Sequence, residues 1–193
     1  MLGVAILIIV MSVMNGFRTD LTNKILGFNS HVTINKYNNE VVDKNFINKI
    51  KNNFESEKIL RSFSGEAVVM INQLAKGIMI KGLDIENTKS LKFLDKVIIE
   101  GKGSNLKQEE IILGKQLAIE LNIVVDDKIN LLSSAFIDTP LGSFPKQEIY
   151  TVKGIFSSGF YEFDKNVVFL TLNDTLSFFN KTKEDINLEI FLN

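Results

Sequence analysis

The chain has no cysteine, a single histidine and only two prolines in 193 residues. Without cysteine there is neither a disulfide framework nor a thiolate metal site. One histidine, His31, excludes any multi-histidine metal centre. A Ser-His-Asp arrangement would have to use this residue, which falls at the start of a strand pattern and reads better as a solvent-facing strand position. No phosphate-cradling loop is present, because G-x-x-x-x-G-K-[ST] needs a lysine and a hydroxyl after its second glycine. Gly77 and Gly82 have the spacing, but Leu83 and Asp84 follow them; Gly114-Lys115 is followed by Gln116, with Glu109 where the first glycine should stand. Regularly spaced oxygen ligands for calcium are also missing. The carboxylate pairs Glu109-Glu110, Asp126-Asp127 and Glu184-Asp185 fall at turns or strand starts and read as solvated turn charge. A formal net charge of -1 gives no clustered basic surface for nucleic acid. No catalytic residue, no metal site and no cofactor is therefore expected, and the weight shifts to a structural or binding role.

What is there begins at the N-terminus. Residues 1–17 carry no charge, and 2–13 are almost wholly aliphatic. A full membrane span takes roughly 20 apolar residues, and this run is shorter. A secretory signal peptide would open on basic residues and close on a small-residue cleavage site. Here no Lys or Arg precedes the run, and Asn15-Gly16-Phe17-Arg18-Thr19-Asp20 follows it. The pattern favours the closing part of a transmembrane helix, with a buried N-terminal helix of a soluble domain as the alternative. Charge does not orient it, since the flank that would carry the orienting residues is absent. Phe17, Leu21 and Ile25 then recur every four residues, as in a helix continuing as an amphipathic stalk. Gly27 is a plausible stop.

Beyond the stalk, alternation predicts a strand over 31–37. Phe46, Ile47, Ile50 and Phe54 form the stripe of a helix over 43–54, with Asp43 as its cap. Residues 66–72 and 76–83 read as a β-hairpin, and 84–95 as a loop with a short helix. Glu100-Gly101-Lys102-Gly103-Ser104-Asn105 is the best internal boundary. Strands are expected at 111–113, 128–133, 147–156, 167–172 and 186–192. Helices are expected at 114–121 and from Asn173, as cap, to about 180. The mixture of elements is α+β.

One loop differs from the others. Phe136-Ile137-Asp138-Thr139-Pro140-Leu141-Gly142-Ser143-Phe144-Pro145-Lys146 is apolar for a loop and holds both prolines. Each proline fixes φ, which lowers the entropy lost when a partner orders the segment. Apolar loops on a rigid scaffold bind partners. By composition alone, a satellite core in which Phe136, Leu141 and Phe144 fold back is an equal reading.

Two long stretches resemble the LolC/LolE family of lipoprotein-releasing ABC-transporter membrane subunits. One is GVAILIIVMSVMNGFRTDLTNKILGFNSHVTI from Gly3 to Ile34, in which Ser12-Val13-Met14-Asn15-Gly16-Phe17 is the specific part. The other runs from Ile111 to Asp164, with ILGKQLAIEL, DTPLGSFPK and YTVKGIFSSGFYEFD. Gly82-Leu83-Asp84 lies between them. The chain departs from the family at 121–127, where a glycine turn has become Asn122 and Asp126, and at Lys146, where arginine is usual.

The resemblance implies an inner-membrane location in Gram-negative bacteria, with residues after about 28 in the periplasm. It implies four kinds of protein partner: a cytoplasmic ABC ATPase reached through the rest of the permease, a second membrane subunit, a periplasmic lipoprotein carrier of the LolA type, and lipoprotein cargo. It implies the end of a transmembrane helix and stalk at 1–28 and a MacB-like periplasmic core at 29–193. That core would have two small mixed α/β lobes, a boundary near 100–106, and a last helix and strand, 173–193, returning to the first lobe. Three further family helices would lie beyond Asn193, so the chain is expected to be a split gene product, a pseudogene remnant or a fragment. By position, 136–146 corresponds to the family's carrier-recruiting hairpin, with Pro140 and Leu141 at its tip; Thr139-Pro140-Leu141-Gly142 favours a LolC-like or combined subunit. The alternatives are a subunit of a MacB-type efflux or cell-division transporter, and a secreted binding domain with an atypical signal peptide.

Overall fold

A computed structural model of the chain describes residues 2–28, 30–35, 56–71, 74–84, 95–103, 106–140 and 142–192. The expected helix over 43–54 lies outside the described residues, as do most of the expected loop at 84–95 and Ser104-Asn105 of the expected boundary.

The aliphatic N-terminus and the stalk form one helix, α1 (Leu2–Phe28). The strands that follow are β1 (Val32–Ile34), β2 (Ser56–Ile71), β3 (Leu74–Leu83), β4 (Ile98–Gly101) and β5 (Glu110–Gly114). Helix α2 (Lys115–Leu121) leads to β6 (Lys128–Thr139) and β7 (Gly142–Phe156). Then come α3 (Tyr161–Asn166), β8 (Val167–Thr171), α4 (Leu172–Phe178), a 3-10 turn (Lys183–Asp185) and β9 (Asn187–Leu192). The described strands form one mixed sheet in the order β1-β9-β2-β3-β8-β5-β7-β4, with β6 paired to both β2 and β7. Most pairs are antiparallel, but β3 with β8 and β5 with β7 run parallel. The fold is mixed α/β of the α+β kind.

The central strands explain the core. In β5 and β8 successive side chains point to opposite faces, and both faces are covered. Ile111, Leu113, Val168 and Leu170 enter a large cluster with Val69, Ile80, Leu117, Leu131 and Phe178. Ile112, Val167 and Phe169 enter a second cluster with Leu106 and Phe156. Strands buried on both faces read as unbroken apolar runs, as EIILG and VVFLT do. At the β5–α2 junction the chains meet closely: a Cβ on Gly114 would sit 2.0 Å from the Asp164 carbonyl oxygen. A glycine is required there by space alone.

Several boundaries differ from the sequence reading. The strand expected from Glu66 starts ten residues earlier, at Ser56, because its first half pairs with β9 over Ser56–Ser62. β4, not expected as a strand, overlaps the expected boundary at Glu100 and Gly101, since β7 supplies its ladder. Asn173 is not the cap of α4. Thr171 is, its side-chain oxygen accepting from the Asp174 N–H at 3.1 Å. The segment 135–146, expected as a loop or hairpin tip, is strand for most of its length, and Pro140 sits in a turn.

Candidate functional site

β6 and β7 do not end at the sheet. Lys128 to Leu132 pair with Gln147 to Thr151, and β6 also pairs with β2 as far as Ser133. Beyond that point the two strands pair only with each other: Phe136 with Pro145, Ile137 with Phe144, Asp138 with Ser143 and Thr139 with Gly142. Between Leu132 and Phe136 three residues of β6 oppose the single Lys146 of β7. Such a bulge bends the ribbon and increases its twist. Ser133 Oγ accepts from the Ala135 N–H at 3.0 Å and holds it.

The projecting part is apolar on both faces. Phe136 and Pro145 share one face, Ile137 and Phe144 the other, because cross-strand partners lie on the same side of a ribbon. Phe136 is 59% exposed, Phe144 52% and Ile137 44%. Neither phenylalanine folds back into a satellite core. Pro140, Gly142, Ser143 and Pro145 are exposed as well, while Leu141 lies outside the described residues. The tip is tied by polar bonds: Thr139 Oγ1 donates to the Gly142 carbonyl at 2.8 Å, and Ser143 Oγ donates to Asp138 Oδ1. Gly142 has φ +122°, a conformation that L side chains rarely adopt.

The root is polar. Lys146 Nζ donates to the Ser177 carbonyl at 2.7 Å and lies 2.8 Å from Glu148 Oε1. Glu148 accepts from the buried Tyr150 hydroxyl at 2.6 Å. Burial, and then the Glu148 carboxylate, push the Tyr150 phenol well above its ordinary range. It stays a neutral donor. Asn180, left-handed at φ +52° just after α4, donates from Nδ2 to the Phe136 carbonyl at 3.3 Å. Sequence reasoning had Lys146 as the last residue of the hairpin segment but missed Asn180 and Ser177. The one available signal was an asparagine following a helix, a residue type that tolerates the left-handed region.

On the sheet face at the hairpin root an open groove of about 600 Å³ is lined by Val68, Met79, Leu132, Ser134, Pro145 and Asn166, among others. The Gly159-Phe160-Tyr161-Glu162-Phe163-Asp164 segment does something else. Asp164 is buried, and its carboxylate accepts from the Ser158 N–H at 2.8 Å, Ser158 Oγ at 2.5 Å and Ser157 Oγ at 3.2 Å. That arrangement closes the loop before α3. His31 is exposed, its N–H donates to the Ile190 carbonyl at 3.0 Å, and its ring meets the Phe191 ring edge-on. Among the described residues no group of three His, Asp or Glu side chains is placed to hold a metal ion. No helix among them is long and apolar enough to cross a membrane. In α1, nonetheless, Val4, Ile6 to Met11, Val13, Met14 and Phe17 are all more than half exposed.

The fold is similar to those of the extracytoplasmic domains of two ABC transporters. The extracellular domain of the noncanonical ABC-type transporter YknZ from Gram-positive bacteria is similar with a TM-score of 0.52 and 12% identity, over 83% of each chain. The periplasmic region of MacB from Actinobacillus actinomycetemcomitans is similar with a TM-score of 0.51 and 8% identity, over 86% of this chain and 75% of that one. Likeness at such low identity concerns the fold alone.

The sequence relationship is narrower. The lipoprotein-releasing system transmembrane protein LolC of Neisseria meningitidis is 29% identical over 99% of this chain and 47% of its own length. LolC of Xylella fastidiosa is 25% identical over 90% and 42%, and LolE of Haemophilus influenzae 28% over 69% and 33%. No family model matches the sequence. The chain is related to the LolC/LolE lipoprotein-releasing membrane proteins and spans less than half the length of these relatives.

Proposed function

We infer that the chain forms the periplasmic part, and the adjoining end of the first membrane helix, of a LolC-like subunit that releases lipoproteins from the inner membrane. In this reading it has no catalytic activity of its own. Energy comes from a cytoplasmic ABC ATPase that engages the rest of the permease, beside a second membrane subunit. The exposed aliphatic side chains of α1 sit in lipid, and residues after about 28 lie in the periplasm. The 29–193 core presents the hairpin Phe136 to Lys146 to the lipoprotein carrier, which receives the cargo.

The observation that carries this reading is the hairpin itself: an apolar ribbon, exposed on both faces, projecting beyond the last strand that could cover it. Leaving large side chains such as Phe136 and Phe144 in water is unfavourable unless a partner covers them. The sequence relationship to LolC and LolE, set beside the fold likeness to MacB, favours lipoprotein cargo over efflux or division signalling.

The test is docking at the tip. Replacing Pro140 and Leu141 together with Ala should weaken binding of a LolA-type carrier by about an order of magnitude or more, since interface energy concentrates in a few anchors. The thermal midpoint should stay nearly constant, because Pro140 is exposed in its turn and surface changes stay within about 0.5 kcal/mol. Carrier binding that survives the double substitution unchanged would remove the docking role.

A further inference from the structure

We propose that the turn after α4 braces the hairpin, and that Asn180 and Lys146 are positioning residues which set the direction in which its apolar faces are presented. The proposal rests on the docking reading above and adds what orients the docking element.

The argument starts at the neck. Residues 136–145 have no strand neighbour other than each other among the described residues, so no ladder to the sheet fixes their angle. The bulge at 133–135 is where a two-stranded ribbon bends most readily. Apolar packing does not hold it either, because Phe136, Ile137 and Phe144 are all exposed. Among the described residues, a pair of hydrogen bonds crosses from the neck to the turn after α4, one from each strand. Lys146 on β7 reaches the Ser177 carbonyl at 2.7 Å, and the Phe136 carbonyl on β6 accepts from Asn180 Nδ2 at 3.3 Å. Both partners belong to one rigid piece. The α4 turn is anchored by buried Phe178 and Phe179 and closed by Asn180 N–H to Ser177 O at 3.1 Å. Two bonds straddling a ribbon resist its swing more than one, and a neck held before docking loses less freedom on binding. Lys146 is further held by Glu148, itself fixed by Tyr150.

The absence of cysteine allows a direct measurement. Spin labels at Ile137→Cys and Asn173→Cys, in the full chain in detergent micelles, report the distance between hairpin and helix. The parent should give one narrow distribution. Asn180→Gly keeps the left-handed turn, which glycine adopts freely, but removes the donor; with Lys146→Ala it should broaden the distribution at least about two-fold. Lys146→Arg should keep it narrow, because a guanidinium donates to the same carbonyl and carboxylate. An unchanged distribution in the double variant overturns the brace, and the Asn180→Gly single variant gives the same reading should the double variant not fold. In the unlabelled double variant, affinity for a purified LolA-type carrier should fall roughly ten-fold through lost preorganisation. A broadened distribution with unchanged affinity overturns the positioning role. No carrier binding by the parent defeats the docking reading while leaving the distance result to stand or fall by itself.

Discussion

Truncating the two exposed phenylalanines of the hairpin separates docking from folding most sharply. Phe136 is 59% exposed and Phe144 52%. An aromatic side chain offers on the order of 200 Å², so each ring leaves roughly 100–120 Å² for a partner to cover. At about 25 cal/mol per Å² that area corresponds to about 2.5–3 kcal/mol per ring, an upper bound because association offsets part of it. Phe136→Ala or Phe144→Ala should therefore weaken carrier binding by about 2 kcal/mol, or roughly 30-fold. The same exposure limits the effect on folding. An unpacked ring contributes within about 0.5 kcal/mol, which is about 1–2 °C in midpoint for a domain of this size. Calorimetric titration with the carrier and a circular-dichroism melt, on the same preparations, read the two quantities. The reasoning is refuted by binding within about three-fold of the parent for both variants. It is equally refuted by a midpoint that falls more than about 6 °C, which would mean that the rings pack against the domain after all.

Two further outcomes follow from the packing and charge. Gly114→Ala drives its new methyl into the Asp164 backbone at 2.0 Å; a thermal melt should show a loss of about 1–3 kcal/mol, the usual cost of overpacking, and an unshifted midpoint would mean that the α2–α3 contact is looser than described. Burial holds the Asp174 carboxyl above its usual range, opposed by hydrogen bonds from Thr171 and the Glu109 N–H and aided by Glu148 and Glu109. Between the ordinary carboxylate value and this raised one the folded chain binds more protons than the unfolded chain, so the contribution of Asp174 to stability falls as pH rises through that window. Asp174→Asn, whose amide oxygen still accepts from Glu109, should gain on the parent at pH 7 and lose that advantage below about pH 4, as read by urea melts at both values; an advantage that grows on acidification contradicts the assignment.

Much of the architecture was legible because it rests on local chemistry. EIILG and VVFLT announce strands buried on both faces, since only such strands need no polar side. The aliphatic run and the Phe17, Leu21, Ile25 spacing announce one helix, and it ends at Phe28, one residue past Gly27. The apolar, proline-bearing segment Phe136 to Lys146 singled itself out as a candidate partner surface by composition. Tertiary structure decided what local pattern could not. Ser56 to Ser62 became strand because β9, more than a hundred residues later, offers a ladder to it. The cap of α4 moved from Asn173 to Thr171 because the strand β8 delivers Thr171 directly into the helix start. Whether Phe136 and Phe144 fold back or face water depends on where the sheet stops, a non-local quantity: β2 pairs with β6 only as far as Ser133, and beyond it no other described strand pairs with the ribbon. The brace was likewise invisible, because Lys146 meets Ser177, and Phe136 meets Asn180, across 31 and 44 residues of chain. A side chain's neighbours in sequence constrain its backbone; its neighbours in space, which set its exposure and its hydrogen bonds, exist only once the chain has folded.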